Sequence, residues 1–240
     1  MQIIAHRGAS GYEPENTLIA FKKAIELGAD MIELDVYQLK TGELVVIHDR
    51  TVNRTTNGVG HIEQLSLADL RKLDAGHGEK VPLLRDVLEV VNQKIPINIE
   101  LKGYHIAEPV ASLLAEYINE KGWSPDSFIV SSFHHHELQI FMNLLPVVPV
   151  GALFNRIPFH LMPIVYQKNV ASINLNAKHV TARQVQSAHL LGKKVYVYTV
   201  NDRWKADHLQ ALHVDGIFTN YPDIIGPTAP RLRKLAHFTS

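Results

Sequence analysis

The sequence predicts an α/β fold built on one parallel sheet, closed as a barrel or opened as a doubly wound sheet, and three observations carry that expectation. Short apolar runs alternate with segments of helical period from one end of the 240 residues to the other, the pattern of repeated βα units. No linker or shift in composition divides the chain, and a single α/β barrel of ordinary size would use all of it. Four of the apolar runs end in ionisable residues: Ile3-Ile4-Ala5 in His6-Arg7, Met31-Ile32 in Glu33-Leu34-Asp35, residues 44–47 in His48-Asp49, and Ile97-Asn98-Ile99 in Glu100-Leu101-Lys102. A buried strand ordinarily ends in a turn residue, so this repetition collects charge at one end of the sheet.

The elements follow in order. Residues 3–6 form the first strand, and 17–27 place Leu18, Phe21, Ala24 and Ile25 at helical spacing, with Asn16 or Thr17 as cap and Gly28 as stop. Met31-Ile32 opens the second strand, which makes the opening a βαβ unit. The eight residues between Asp35 and Leu44 are short for a helical crossover; an extended connection without a helix is expected, a hairpin around Thr41-Gly42 being the alternative. Either keeps His48 near Asp35. After the third strand, residues 49–82 read as a polar insertion rich in Arg, Thr, Asn and Gly, with a short amphipathic helix near 67–73; a loop of this length suggests a lid or binding loop over the site. Helices are then expected at 83–91, 106–121, 137–145, 182–191 and 206–212, and strands at 97–101, 128–131, 148–154, 171–175, 195–200 and 216–219. That makes nine strand-like runs for the eight places of a (β/α)8 barrel, and 171–175 is the weakest candidate for a regular place.

Composition narrows the partners. The 24 basic and 24 acidic side chains cancel, so no global field favours nucleic acid or an anionic membrane surface. The lack of Cys excludes disulfides, thiolate metal sites and a Cys nucleophile. Residues 138–154, the most apolar stretch, contain Gln139, Asn143, Pro146, Pro149 and Gly151, a poor match to a membrane span. Met1-Gln2 runs straight into the first strand with no signal-peptide pattern, which makes the cytoplasm the expected location.

Glu33 and Asp35 are two apart on a strand and face the same side, and Glu100 and Lys102 repeat the arrangement around Leu101. Three carboxylates within ~4 Å of one another would repel by about 4 kcal/mol per pair at an effective dielectric of ~20, which protons or a cation must relieve. Oxygen ligands without Cys suit a hard ion such as Mg²⁺ or Ca²⁺. Such an ion beside Arg7, Lys102 and two histidines points to an anionic phosphoryl substrate cleaved by acid–base catalysis. Each motif alone has a plainer reading: Glu-x-Asp as a salt-bridged face, His6 as a core histidine, Asp49 as a turn former. Their recurrence at one end of successive strands is what favours chemistry. His134-His135-His136 reads as the solvated start of a helix, and Arg231-Leu232-Arg233-Lys234 as a solvated basic tail. Gly8-Ala9-Ser10-Gly11 lacks the spacing of a dinucleotide loop and the lysine of a P-loop, and no Gly-x-Ser-x-Gly elbow is present.

The chain resembles the glycerophosphodiester phosphodiesterase family, in its bacterial cytosolic type. The resemblance rests on His6-Arg7-Gly8 with Pro14-Glu15-Asn16-Thr17-Leu18, Ile32-Glu33-Leu34-Asp35-Val36, Val46-Ile47-His48-Asp49 with Arg54-Thr55-Thr56-Asn57-Gly58, and Pro82-Leu83-Leu84. It continues through Asn98-Ile99-Glu100-Leu101-Lys102, Val130-Ser131-Ser132-Phe133, Tyr198-Thr199-Val200-Asn201, and Asp215-Gly216-Ile217-Phe218-Thr219-Asn220-Tyr221-Pro222. It implies a single-domain (β/α)8 TIM-type barrel with the 49–82 insertion. It also implies hydrolysis of a glycerophosphodiester to sn-glycerol 3-phosphate and an alcohol. Residue by residue, it gives Glu33, Asp35 and Glu100 a divalent cation, His6 and His48 the acid–base roles, and Arg7 and Lys102 the phosphate; which histidine is base and which acid stays open, with His6 the preferred base. Tyr198 stands where the family usually has Trp and would form an aromatic wall for glycerol; Asn220 stands where Asp is usual, a departure expected to touch substrate preference rather than the histidines. A metal-dependent amidohydrolase is the weaker rival because Gly8 stands where a second histidine is needed. A lysophospholipase D and a non-catalytic phosphate-binding barrel are the others. The expected ligand is a small molecule, with no nucleic acid and no membrane insertion.

Overall fold

The computed structural model describes residues 1–155 and 162–225. Along the chain run β1 (Gln2–His6), α1 (Leu18–Glu26), β2 (Met31–Gln38), β3 (Leu44–Val46), α2 (Leu67–Leu70), α3 (Leu84–Val91), β4 (Ile97–Leu101), α4 (Ala107–Asn119) and β5 (Phe128–Ser132). These are followed by α5 (His135–Leu144), β6 (Val150–Phe154), β7 (Val170–Asn176), α6 (Ala182–Leu190), β8 (Lys194–Tyr198), α7 (Arg203–Ala211), β9 (Gly216–Thr219) and α8 (Pro222–Ile225).

Eight of the strands pair in parallel in the order β1-β9-β8-β7-β6-β5-β4-β2, and pairing of β1 with β2 closes the barrel. Closure sets the register that builds the site: His6 lies opposite Glu33, and Asp35 opposite Glu100. Sequence chemistry sets the helix ends. Thr17, the second of the two expected caps, accepts a hydrogen bond from the Ala20 amide, and Gly28 follows the helix at φ +76°, a conformation that glycine adopts without strain. Helix and strand faces then pack into one core that includes the fully buried Phe21, Tyr117, Phe128 and Phe141. Each such side chain contributes roughly 1.5–3 kcal/mol, which offsets the expense of lining the barrel mouth with charge.

The structure changes two expectations. The connection after β2 is a hairpin, not an extended crossover: Val36, Tyr37 and Gln38 pair antiparallel with Val46, Val45 and Leu44. The last residues of β2 outrun the barrel, Leu39 N–H donates to the Glu43 carbonyl, and Gly42 takes φ +102°, so the chain reverses within a few residues. The strand outside the barrel is therefore β3, not 171–175. Residues Val170–Asn176 form a barrel strand of 7 residues, whose only irregularity is a register shift against β6 at Val150/Gly151. Ser172 and Asn174 point into the barrel, where their side chains hydrogen-bond to each other at 2.9 Å, and that polar alternation weakened the run as a strand signal.

The 49–82 segment packs on the hairpin rather than on the barrel core. Val52, Ile62, Leu70, Ala75 and Val81 bury against Tyr37, Leu39, Val45 and Ile47 in a second apolar cluster. The helix expected at 67–73 is a single turn, capped by Ser66. On the other side of the mouth, the buried Glu137 of α5 accepts backbone N–H bonds from His105, Ile106 and Ala107 at 2.9, 3.2 and 3.0 Å. A carboxylate thus satisfies the orphan donors of the α4 N-terminus and fixes the loop after Lys102. His134-His135-His136 does open a helix, α5, with His134 at its cap. Arg231-Leu232-Arg233-Lys234 lies outside the described residues. Among the described residues, no helix is long and apolar enough to cross a membrane.

Candidate active site

Where β2 reaches the mouth of the barrel, Leu34 faces the core while Glu33 and Asp35 face the barrel axis; Glu100 joins them from β4. Each of the three buried carboxylates brings an oxygen within 4.8 Å of those of the other two. Burial, reinforced by the charges of Asp35 and Glu100, raises the Glu33 carboxyl well above the usual range. Burial, followed by the charge of Asp35, pushes Glu100 up to about 7. A pocket of hard oxygen donors that holds its negative charge only at such expense fits a divalent cation such as Mg²⁺ or Ca²⁺.

Arg7 and Lys102 flank the triad. Arg7 and Asn16 both adopt left-handed backbone, at φ 57° and 59°, and the Asn16 amide donates to the Arg7 carbonyl at 3.0 Å. Such residues store roughly 1–3 kcal/mol each. The geometry lets the Arg7 amide donate to Glu33 Oε2 at 2.9 Å and brings its Nε to 3.3 Å from Asp35 Oδ2, which also accepts from Asn16 Nδ2 at 2.9 Å. Lys102 Nζ donates to Glu100 Oε1 at 2.9 Å and lies 3.7 Å from Asp35 Oδ1. Burial works against the Lys102 charge, but Glu100 and Asp35 outweigh it and raise its pKa.

The two histidines have contrasting partners. His6 Nδ1 lies 2.8 Å from Asn220 Oδ1; the amide oxygen can only accept, so the proton is on Nδ1 and Nε2 keeps its lone pair. Burial first, then the Arg7 charge, lowers the His6 pKa to about 4, so this imidazole is neutral at pH 7. His48 Nδ1 lies 2.6 Å from Asp49 Oδ1, a carboxylate, and its Nε2 is 3.3 Å from Lys102 Nζ. Asp49 can thus balance the charge of an imidazolium, which Asn220 cannot do for His6.

A cavity of about 150 Å³ joins these groups, with His6, Arg7, Glu33, His48, Glu100 and Lys102 on one side and Phe133, Leu153, Tyr198 and Phe218 on the other. A roomier groove of about 510 Å³, lined by Val185, His189 and Leu212, lies outside the barrel between α6 and the end of α7. None of the carboxylates, cationic side chains or histidines gathered at the barrel mouth lines it. The Tyr198 hydroxyl donates to the Phe154 carbonyl at 2.8 Å and its ring meets Phe133 edge-on at 5.8 Å, so the hydroxyl is already engaged. All eight residues singled out from sequence therefore lie around one cavity, Asp35 completing the carboxylate group just beneath its lining.

Sequence reasoning overlooked several partners. Asn220 was expected to stand apart from the histidines, yet it is the hydrogen-bond partner of His6, because β9 closes against β1. Asp49, given no role of its own beyond the plainer reading as a turn former, hydrogen-bonds His48. Glu15, Asn16 and Arg54 also bind site residues; their presence in the quoted motifs was a signal, but nothing in their spacing assigned partners.

Residues 6–224 match the Glycerophosphoryl diester phosphodiesterase family. The chain belongs to that family. It is therefore a phosphoric diester hydrolase by membership. A glycerophosphodiester phosphodiesterase of Bacillus altitudinis is 38% identical over 236 residues, covering 92% of this chain and 95% of the relative. Another, from Caldanaerobacter subterraneus subsp. tengcongensis, is 36% identical over 235 residues, with 93% and 95% covered. The solved structure of an Oleispira antarctica phosphodiesterase in complex with the product sn-glycerol-3-phosphate superposes with a TM-score of 0.86 at 31% identity, covering 94% of this chain and 95% of that one. Family membership agrees with the closed barrel and with the resemblance carried by the motifs at its strand ends.

Proposed function

We propose that this family member hydrolyses glycerophosphodiesters to sn-glycerol 3-phosphate and an alcohol, using His6 and His48 as proton carriers beside a divalent cation held by Glu33, Asp35 and Glu100. The observation that supports it best is the asymmetry of the two histidines around one carboxylate triad. His6, neutral and paired with an amide, is suited to accept a proton through Nε2. His48, backed by the Asp49 carboxylate, is suited to donate one through Nε2 once the phosphate draws Lys102 Nζ from its 3.3 Å contact there. When bound, the cation would neutralise the carboxylates and polarise the phosphoryl oxygens.

In this reading Arg7 and Lys102 bind the phosphate oxygens and stabilise the charge that builds on them. His6 takes the proton of the glycerol 2-hydroxyl, whose oxygen forms a bond to phosphorus as the bond to the departing alcohol breaks. His48 protonates that alcohol. Water then opens the cyclic phosphate with the histidine roles exchanged, and sn-glycerol 3-phosphate leaves. Phe133, Leu153, Tyr198 and Phe218 exclude water on the far side and pack the carbon chain of glycerol.

The product of the Oleispira antarctica relative supports this choice of substrate. The test is release of sn-glycerol 3-phosphate from glycerophosphocholine. Chelator-treated protein is expected to lose it and to regain it with Mg²⁺ or Ca²⁺. Undiminished release from metal-free protein would remove the cation from the reading, and failure to cleave any glycerophosphodiester would remove the substrate.

A further inference from the structure

Six charged or titratable side chains from separate stretches of chain form a continuous line beside the cavity: His48, Asp49, Arg54, Glu15, Arg7 and Asp35. Arg54 stands at its centre. Its Nε and Nη2 donate to Asp49 Oδ2 and Oδ1 at 2.7 and 3.0 Å. Its Nη1 and Nη2 donate to Glu15 Oε2 and Oε1 at 2.8 and 2.7 Å. Both carboxylates are also engaged by site residues: Asp49 Oδ1 with His48 Nδ1 at 2.6 Å, and Glu15 Oε1 with Arg7 Nη1 at 2.9 Å.

We propose that Arg54, a residue of the 49–82 insertion that does not line the cavity, is a positioning residue that locks the His48–Asp49 pair and the Glu15–Arg7 pair into one orientation. The inference rests on the function proposed for His48 and Arg7. A planar guanidinium can present two edges to two carboxylates at once; an ammonium cannot. The arm that carries it is itself fixed, since Thr56 donates to the Val52 carbonyl through its amide at 3.0 Å and its hydroxyl at 2.7 Å, and the Asp74 amide donates to Asn57 Oδ1 at 2.8 Å.

The Arg54 side chain is 48% exposed, so as a plain surface ion pair it would contribute only about 0–1 kcal/mol of stability. Its consequence is in geometry. Without it, Asp49 is free to turn away from the imidazole and Glu15 carries an unshared charge beside Arg7. The first change acts on proton transfer and the second on phosphate binding, so kcat should fall and KM should rise together.

The experiment compares Arg54→Lys, Arg54→Met and Arg54→Ala with wild type in glycerophosphocholine hydrolysis, and follows the His48 imidazole by ¹⁵N NMR. Loss of an orienting partner is expected to reduce kcat by roughly 10–100-fold in Lys and Met alike. Millimolar guanidinium should partly restore Arg54→Ala, whereas methylammonium should not, and Arg54→Met should disturb the His48 Nδ1 proton signal. In a double-mutant cycle, Asp49→Asn should add little to the loss of kcat in Arg54→Met. Wild-type kcat and KM in Arg54→Lys would overturn the proposal, as would unchanged His48 resonances in Arg54→Met. If wild type cleaves no glycerophosphodiester, the functional reading fails instead, and the imidazole comparison alone decides whether Arg54 holds the pair.

Discussion

The two sides of the barrel mouth are built on the same framework and carry opposite chemistry. From β1 to β4 the strand ends supply His6, Arg7, Glu33, Asp35, Glu100 and Lys102, and the segment after β3 adds His48; from β5 to β9 the cavity wall is mostly apolar, with Phe133, Leu153, Tyr198 and Phe218 beside Ser131 and Thr199. The ionic side is expensive to bury and pays for itself only if a ligand and an ion use its charge. The apolar side is inexpensive and confines that charge to a narrow space of low polarity, where each electrostatic contact is stronger than in open water. On the proposed reading, catalysis and enclosure come from different parts of one chain, so substitutions on the two sides should affect different kinetic constants.

The largest expected effect is on the ionic side. His6→Ala and His48→Ala should each lower kcat by about 10²–10⁴-fold, the range for loss of a general acid or base. Ordinary turnover in either variant would remove that histidine from the reaction.

Next in size is the partner of His6. Asn220→Asp replaces a neutral acceptor with a carboxylate 2.8 Å from Nδ1, which favours the imidazolium and raises a pKa now held at about 4. A base must be unprotonated, so activity is lost as pH falls through that pKa. With the cation kept saturating, so that the carboxylates are not re-protonated, the acid limb of the kcat/KM profile should therefore move to higher pH in the variant, by roughly one unit. A limb that stays in place would mean that His6 is not the base it reports.

Smaller effects belong to the aromatic side. Phe133→Ala, which opens the wall at a half-exposed position, should raise KM several-fold, roughly 1 kcal/mol of packing, with kcat near wild type. Tyr198→Phe removes only the bond to the Phe154 carbonyl and should cost about 1 kcal/mol of stability, read as a small drop in Tm, with kinetics nearly unchanged. A collapse of kcat in either variant would erase the contrast between the two sides.

The same contrast explains what could be read from sequence. A Glu, Asp or His that ends an apolar strand is out of place, so the ionic residues and the helix–strand alternation were legible at once. Phe133, Leu153 and Phe218 were not, because an aromatic or aliphatic residue at a strand end looks like core; Tyr198 emerged only through the family resemblance. The hairpin at Gly42 was ranked second to an extended crossover because strand pairing depends on how far β2 outruns the barrel, and Asn220 was missed because its contact with His6 spans 214 residues and exists only when the barrel closes. Ser172 and Asn174 illustrate the converse, a barrel strand hidden by polar side chains that face inward.

On the proposed function, the buried carboxylates Glu33, Asp35 and Glu100 form a cation site. Calorimetric titration of chelator-treated protein with Mg²⁺ or Ca²⁺, in buffers of different ionisation enthalpy, tests it most directly. With Glu100 raised to about 7 and Glu33 raised as well, these groups hold protons near neutrality that an incoming cation must expel. Saturable binding of one ion should therefore release protons, weaken by roughly tenfold for each proton displaced per pH unit below 7, and disappear in Glu100→Gln. Absence of saturable binding in wild type, or full binding in Glu100→Gln, would contradict it.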